Sequence, residues 1–574
     1  MKKILNIICA FIVVGGFTAC ESFLDDHTPQ ATLSDEQVKV PENAEAMAVS
    51  AYAIFTSAED INSSFSMWNF DVRSDDAYKG GNGTSDGDVF HQLEIQQGVL
   101  TTNWNINDMW VRLYKCISRV NSAIALLNES NYNMKEQRLA EMKFLRAYGH
   151  FLLKRLYKNI PFVTNENLTY EQYNGLSNTE YSNDEGWEVI IDDLMDAFNT
   201  LPETQAEKGR PTKASAAAFL AKVYLYKAYR QDDENSNQVT SINQQDLEKV
   251  IEFTNPNLYE QHYDLESDIH NNFRPEEQFE NGIESIWAIQ YSRNDGSTYG
   301  NLNWSYGLIP PNIPGATDGG CDFYKPSQNL VNAYRTGADG LPLLDTFNNK
   351  DYDMTTDNAD PRLFLTVGIP GLPYMFNKNF MMEKTAIWSR SNGLYGYNVT
   401  LKQNVDPALI GTYLIKGSYW ASSMNRIVFR YADVLLERAE AYAQLGQTDQ
   451  AIKIVNRLRT RAASSTQMIG NYPSLYGVKF YIANYKGSYT KEETIKIVKM
   501  ERRLELGMEC ERFFDLVRWG EAATVLNKYF AEERDNCAIY NTAHFTANKD
   551  EYLPIPFEQI SASNGHYTQN IGNW

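Results

Sequence analysis

The sequence predicts a mainly α protein, a tetratricopeptide-like α-solenoid scaffold with a long irregular, loop-rich segment and a few short strands. Three observations predict it. Apolar residues recur at helical spacing towards both ends of the chain, and one pair of such stretches has the length and turn of a tetratricopeptide unit. Between about residues 254 and 425 that periodicity gives way to Gly, Pro, Asn, Tyr and Trp.

The chain opens with Lys2 and Lys3, an apolar run from Ile4 to Phe17 broken by Asn6, and then Thr18-Ala19-Cys20. This is a secretory signal with a small-residue cleavage site. The run is too short to span a bilayer, which needs roughly 20 apolar residues. A site ending at a Cys resembles the bacterial lipoprotein signal, so residues 1–19 read as signal peptide, Cys20 as the lipidated mature N-terminus and 20–40 as anchor and tether. Acyl chains such as palmitate then hold the whole polypeptide in water at a membrane surface. Nothing downstream reads as a membrane span, and mean hydropathy is −0.46.

Residues 41–253 read as an N-terminal helical region. A helical hairpin can be drawn from Trp104 to Tyr157. From Pro211 to Lys227, Ala216, Phe219, Leu220, Val223 and Tyr226 form an amphipathic stripe with small residues that let a neighbour approach. Residues 254–574 follow, with the loop-rich stretch 254–425, whose clearest strand is Glu284–Gln290, and a helical part 426–574. In the latter, Tyr431, Val434, Leu435, Ala439 and Tyr442 mark one helix that Gly446 ends. Thr448 and Asp449 open a second, and Thr490–Val525 reads as a further hairpin. Paired helices of this kind bury their apolar faces only by stacking.

Composition excludes several functions. The net charge is −21, and loss of Lys2 and Lys3 with the signal leaves 50 basic against 73 acidic residues, or −23. Such a chain repels phosphate backbones, so no nucleic acid partner is expected. Cys116, Cys321, Cys510 and Cys537 show no metal-type spacing and read mostly as buried small hydrophobes. Gly83-Thr84-Ser85-Asp86-Gly87 matches the nucleophile-elbow pattern formally but lies in a polar Gly loop, without the buried strand that chemistry needs. Glycoside hydrolysis needs two carboxylates about 5 to 9.5 Å apart; Asp75, Asp76, Glu284 and Asp322 are the candidates, and sequence does not set them face to face.

Phe144-Leu145-Arg146-Ala147-Tyr148, with Tyr157 and Ile160-Pro161-Phe162-Val163, resembles the N-terminal signature of the RagB/SusD family of nutrient-uptake outer membrane lipoproteins. Arg430–Leu436 with Ala439-Glu440-Ala441, Glu501–Leu506 with Arg512–Leu516 and Arg518-Trp519-Gly520, and the closing Tyr552–Pro556 and Gln569-Asn570 resemble its C-terminal signatures in the same order. Those residues read as scaffold, with charges spaced for ion pairs that fix helix packing. The resemblance implies a non-catalytic, cell-surface, SusD-like carbohydrate-binding lipoprotein of polysaccharide utilisation. Its implied partners are a glycan, the outer membrane and a SusC-like TonB-dependent transporter, over which it sits as a lid. Peptide capture by the same architecture is the alternative, and a surface glycoside hydrolase a further one.

Sugars present hydroxyls to polar side chains and apolar faces to aromatic rings. Trp68, Tyr78, Trp304, Tyr306, Tyr324, Trp388, Tyr395 and Tyr397 lie among Gly and Asn, whereas Trp287 lies in the strand and reads as core. Trp304, Tyr324 and Tyr395 are the leading platforms, with Asp75, Asp76 and Tyr78 beside them. Stacking that removes about 60 to 100 Å² of apolar surface contributes roughly 1.5 to 2.5 kcal/mol. The loop Ser74–Asp88 is the most site-like stretch. Asn82, Thr84, Asp86 and Gly87 fit positions 1, 3, 5 and 6 of an EF loop, but position 12 falls on Leu93, with Glu94 one place too far. A solvated turn, a polar ligand rim and a Ca²⁺ site all remain open; no other cofactor is expected.

Overall fold

The computed structural model describes residues 41–56, 68–296, 300–417 and 420–574. The signal peptide, the tether and Cys20 lie outside the described residues, as does the side chain of Trp68. The longer helices are α1 (Pro41–Ala53), α2 (Asp88–Ile95), α3 (Trp104–Glu129), α4 (Lys135–Tyr157), α5 (Asn183–Thr200), α6 (Lys213–Ala228), α7 (Gln244–Phe253), α8 (Tyr431–Gln444), α9 (Thr448–Ser464), α10 (Lys491–Leu506), α11 (Arg512–Arg518), α12 (Ala522–Glu533) and α13 (Phe557–Ala562). None is long and apolar enough to cross a membrane.

Local chemistry sets their ends. Ser182, Thr212 and Thr490 each close a capping box at the starts of α5, α6 and α10, so backbone N–H groups without helical partners are satisfied. Gly446 takes φ +75° at the turn between α8 and α9, a conformation that costs glycine no steric strain. Each helix packs on the next: α3 on α4, α4 on α5, α5 on α6, α6 on α7, α7 on α8, and α8 on both α9 and α10. The expected Ala-rich contact is present, with Ala439 and Ala443 of α8 meeting Ala451 and Val455 of α9 and Ile497 and Val498 of α10 in one apolar cluster. The fold class is thus the one the periodicity predicts.

The long excursion leaves α7 and returns at α8, yet α7 and α8 pack directly, so the helical stack is continuous across it. Two short antiparallel ladders tie the excursion down. β1 (Ala77–Gly80) pairs with β3 (Phe323–Pro326), and β2 (Ser285–Ile289) pairs with β4 (Arg426–Arg430), whose end runs straight into α8. Trp287 is buried, as its strand position predicts, and meets Phe144 and Tyr148 edge to face at 4.9 and 5.2 Å.

The signature charges do hold the scaffold, but across elements rather than along one helix. Glu505 of α10 accepts from Arg362, Arg430 and Arg461; Glu284, just before β2, accepts from Arg430 and Arg461 at 2.7 and 2.8 Å. Arg502 reaches Asp433 and Asp515, both at 2.6 Å. Burial works to raise the Glu505 carboxyl, and the three guanidinium groups overcome it, holding it below the usual carboxylate range.

Candidate functional site

Of the residues expected to form the site, Asp75, Asp76, Tyr78, Tyr324 and Tyr395 lie inside the protein, whereas Trp304 is partly exposed. Asp75 is clamped by Arg512 at 2.8 and 2.9 Å and by Arg503 at 3.2 Å. Asp76 takes the Arg503 Nε at 2.7 Å. Burial pushes the Asp75 carboxyl up, but Arg503 and Arg512 hold it down at about 2. Tyr324 is 0 % exposed and donates to Asp71 at 2.7 Å. Tyr78 hydrogen-bonds Glu533, and its ring lies 6.2 Å from that of buried Tyr395, whose hydroxyl reaches Glu94 at 3.5 Å. The expectation that Tyr78, Tyr324 and Tyr395 present open faces, with Asp75 and Asp76 beside a ligand, is therefore corrected. They join the β1–β3 ribbon to α10, α11 and α12. Trp388 is buried as well, whereas Trp304, Tyr306 and Tyr397 are partly exposed.

The Gly loop is organised around an internal cation. Lys79, fully buried, extends its ammonium to the carbonyls of Gly80, Gly83 and Asp86 at 2.8, 2.9 and 2.7 Å. Asp86 accepts from the Asn82 N–H and from Arg390. The acceptors of Lys79 are backbone carbonyls, whereas positions 1, 3 and 5 of an EF loop would use the side chains of Asn82, Thr84 and Asp86, and the Asp86 carboxylate is paired with Arg390.

The imagined catalytic carboxylates are committed too. Glu284 is held by two arginines, Asp322 takes Lys325 at 2.6 Å, and Asp75 and Asp76 are paired as described. Cys116, Cys321, Cys510 and Cys537 are free thiols, three of them buried and Cys321 partly exposed.

An open groove of about 270 Å³ lies elsewhere, between α1, β2 and the turn before α6. Its apolar wall is Val49, Tyr52 and Ala53 from α1, with Leu145, Trp287 and Ile289 beneath. Its polar groups are Thr56, Glu207, Lys208, Arg210, Gln290 and Asn301. Tyr52 is oriented from both ends: its hydroxyl donates to Glu141 at 2.9 Å and the Arg210 guanidinium lies 5.6 Å from its ring. Burial first, then the Glu141 charge, lifts the Tyr52 phenol well above its ordinary range, so it stays protonated. Arg210 is itself fixed by Glu45, by Glu141 at 2.7 Å and by Glu207 at 2.5 Å.

The turn 207–210 requires glycine at its third place. Gly209 has φ +84°, a Cβ there would come 2.4 Å from the Gln290 side chain, and its carbonyl accepts the Trp287 indole N–H at 2.9 Å. A second cavity of about 400 Å³ adjoins on the other side of the same turn. Asn301 donates to Thr56 at 2.8 Å and bridges the rim, while the Gln290 amide is aligned by Asn281 and Asn425. Trp304 stands three residues past Asn301 on a 3₁₀ turn (Trp304–Tyr306). Sequence reasoning missed Tyr52, Arg210, Gln290 and Asn301. Tyr52 sits in a run of helical small residues, and only the tertiary fold brings it to Arg210 and Asn301.

A groove with one aromatic wall, amides, a hydroxyl and paired charges suits a polyhydroxylated ligand. Comparison with known proteins shows the family. The SusD family profile matches residues 283–574, just over half of the chain. The chain belongs to the SusD family. A second profile, described as starch-binding associating with outer membrane, matches residues 22–225. SusD-like protein P38 of Formosa agariphila is 26 % identical over 92 % of this chain and 94 % of its own. Among solved structures, a SusD homologue from Bacteroides thetaiotaomicron superposes with TM-score 0.71 at 17 % identity, covering 95 % of this chain and 100 % of the other. A laminarin-binding SusD-like protein superposes with TM-score 0.64 at 21 % identity, covering 92 % and 99 %. The SusD fold therefore extends over nearly the whole chain.

Proposed function

We propose that this SusD-family chain is a lipid-anchored surface protein, carried on Cys20, that captures a glycan in the α1–β2 groove. It passes the glycan uncleaved to a SusC-like TonB-dependent transporter. The observation that carries the reading is the groove itself: the oriented Tyr52 ring beside Arg210, Gln290, Asn301 and Thr56 offers a stacking face and hydrogen-bond partners together. Trp304 is the further platform, being partly exposed close by in sequence. Capture without cleavage is supported by the buried, salt-bridged state of Asp75, Asp76, Glu284 and Asp322, each committed to a basic partner inside the fold. Because a similar protein binds laminarin, β-glucans and starch are the first ligands to test.

Calorimetry of the Cys20→Ala protein against laminarin, starch oligosaccharides and a peptide library tests the reading. Tyr52→Ala and Trp304→Ala are each expected to weaken glycan binding roughly 10- to 70-fold, the equivalent of about 1.5 to 2.5 kcal/mol, with melting followed in parallel. Unchanged affinity in both variants moves the site elsewhere. Binding of peptides alone replaces the ligand class, and release of shorter sugars over time replaces capture with hydrolysis. Co-purification with a TonB-dependent transporter from solubilised outer membrane tests the partner.

A further inference from the structure

A second groove, of about 290 Å³, shares no lining residue with the first. It lies between α3, the short helix Tyr170–Asn174 and the chain around and after α13. Four rings line it. Trp110 and Tyr114 are anchored in the core, with ring centroids 5.1 Å apart, and Tyr114 spends its hydroxyl on the Pro161 carbonyl at 2.7 Å. Tyr567 leans on Trp110 at 6.1 Å. Tyr173 is 40 % exposed, and its helix is fixed by a capping box between Thr169 and Gln172, which presets where the ring stands. Burial and then the neighbouring Tyr567 and Tyr173 phenols raise the Tyr114 phenol, as expected when three phenols surround one space.

Among the described residues, the hydroxyls of Tyr173 and Tyr567 donate to no protein acceptor, although both line the groove. Ser118, Asn174 and Gln559 add a hydroxyl and two amides, and Lys115 is the one charged side chain in the lining. This chemistry selects among ligands. A phosphate or carboxylate ligand calls for more than one cation, commonly a bidentate Arg. Strand addition by an extended peptide needs an unpaired strand edge, and these walls are helices and a turn; docking of a Pro-rich segment on the rings is the peptide outcome that titration reads. A neutral sugar ring matches both halves of the lining, its C–H face on the Tyr173 and Tyr567 rings and its hydroxyls on the free phenols and amides. The volume, at the lower end of ordinary ligand pockets, admits one or two sugar rings.

We propose that the groove lined by Trp110, Tyr114, Tyr173 and Tyr567 is a second binding site for neutral saccharide, independent of the α1–β2 groove. Two sites on one molecule hold a long polysaccharide more tightly than either does, because the second contact is made at high effective concentration. The proposal stands whether or not the first groove binds sugar.

The test places a fluorinated tyrosine at position 173 of the Cys20→Ala protein and follows its ¹⁹F resonance during titration with maltohexaose and with laminarihexaose to millimolar concentration. At least one probe is expected to shift it, and to do so unchanged in a Tyr52→Ala, Trp304→Ala background, which separates this site from the first. Tyr173→Ala is expected to lower calorimetric affinity at this site by about tenfold or more, with Tyr173→Phe losing less because the ring remains. No shift with either probe, or a shift abolished in the Tyr52→Ala, Trp304→Ala protein, overturns the proposal. So does a response to peptides without a response to sugars.

Discussion

At Asp75 two guanidinium groups determine what the carboxylate is able to do. With Arg503 and Arg512 in contact both its oxygens are paired, and its loss is a matter of stability. Arg512→Ala leaves Asp75 buried and under-compensated, and about 3 to 5 kcal/mol of destabilisation is expected by urea denaturation, with glycan affinity of the folded fraction unchanged. The same pairs make the fold acid-sensitive. Asp75 and Glu440 are each held down at about 2, burial opposing and their arginines prevailing, whereas an unfolded carboxylate titrates near pH 4. Their stabilisation is therefore complete above about pH 4 and lost as pH falls towards 2, so the melting temperature is expected to drop steeply over that window. A drop already complete at pH 5 sinks this assignment. The sequence could not show this burial, because the partners lie far along the chain: Tyr324 is covered through Asp71, and Tyr78 through Glu533. Gly and Asn neighbours signal turns, and turns between packed elements are buried as readily as exposed.

Helices were the legible level. The stripes around Phe219, Val434 and Leu458 fall in α6, α8 and α9, within a few residues of the expected ends, because an amphipathic face and its caps are local properties. The turn beside the groove is not local. Residues 207–210 become a groove wall only by lying on β2, where Gly209 admits the Gln290 side chain. Gly209→Ala forces a left-handed backbone on a residue with a Cβ and pushes Gln290 aside. A destabilisation of about 1 to 3 kcal/mol is expected, together with weaker glycan binding than any loss of folded protein accounts for. Parallel melting and calorimetry separate the two effects; unchanged affinity would show that Gln290 lies outside the contact.

For the whole molecule, the proposed anchoring makes attachment and folding separable, since among the described residues the helical packing begins with α1 at Pro41. Cys20→Ala is expected to move the protein from the membrane to the soluble fraction with an unchanged helical circular dichroism spectrum. A variant that still pellets with outer membrane in cells lacking the transporter contradicts the lipid anchor. The ladder of β2 and β4 has a wider consequence. Ile289 and Arg426 are partners in register, so the chain leaves the scaffold and re-enters it at one rung. The stretch between them is pinned again by the β1–β3 ladder and by Arg362 on Glu505, so Asn301 and Trp304 lie on a short arc between the two ladders, while Tyr52 and Arg210 stay on the frame. Substitutions along that arc change one half of the groove without touching either ladder.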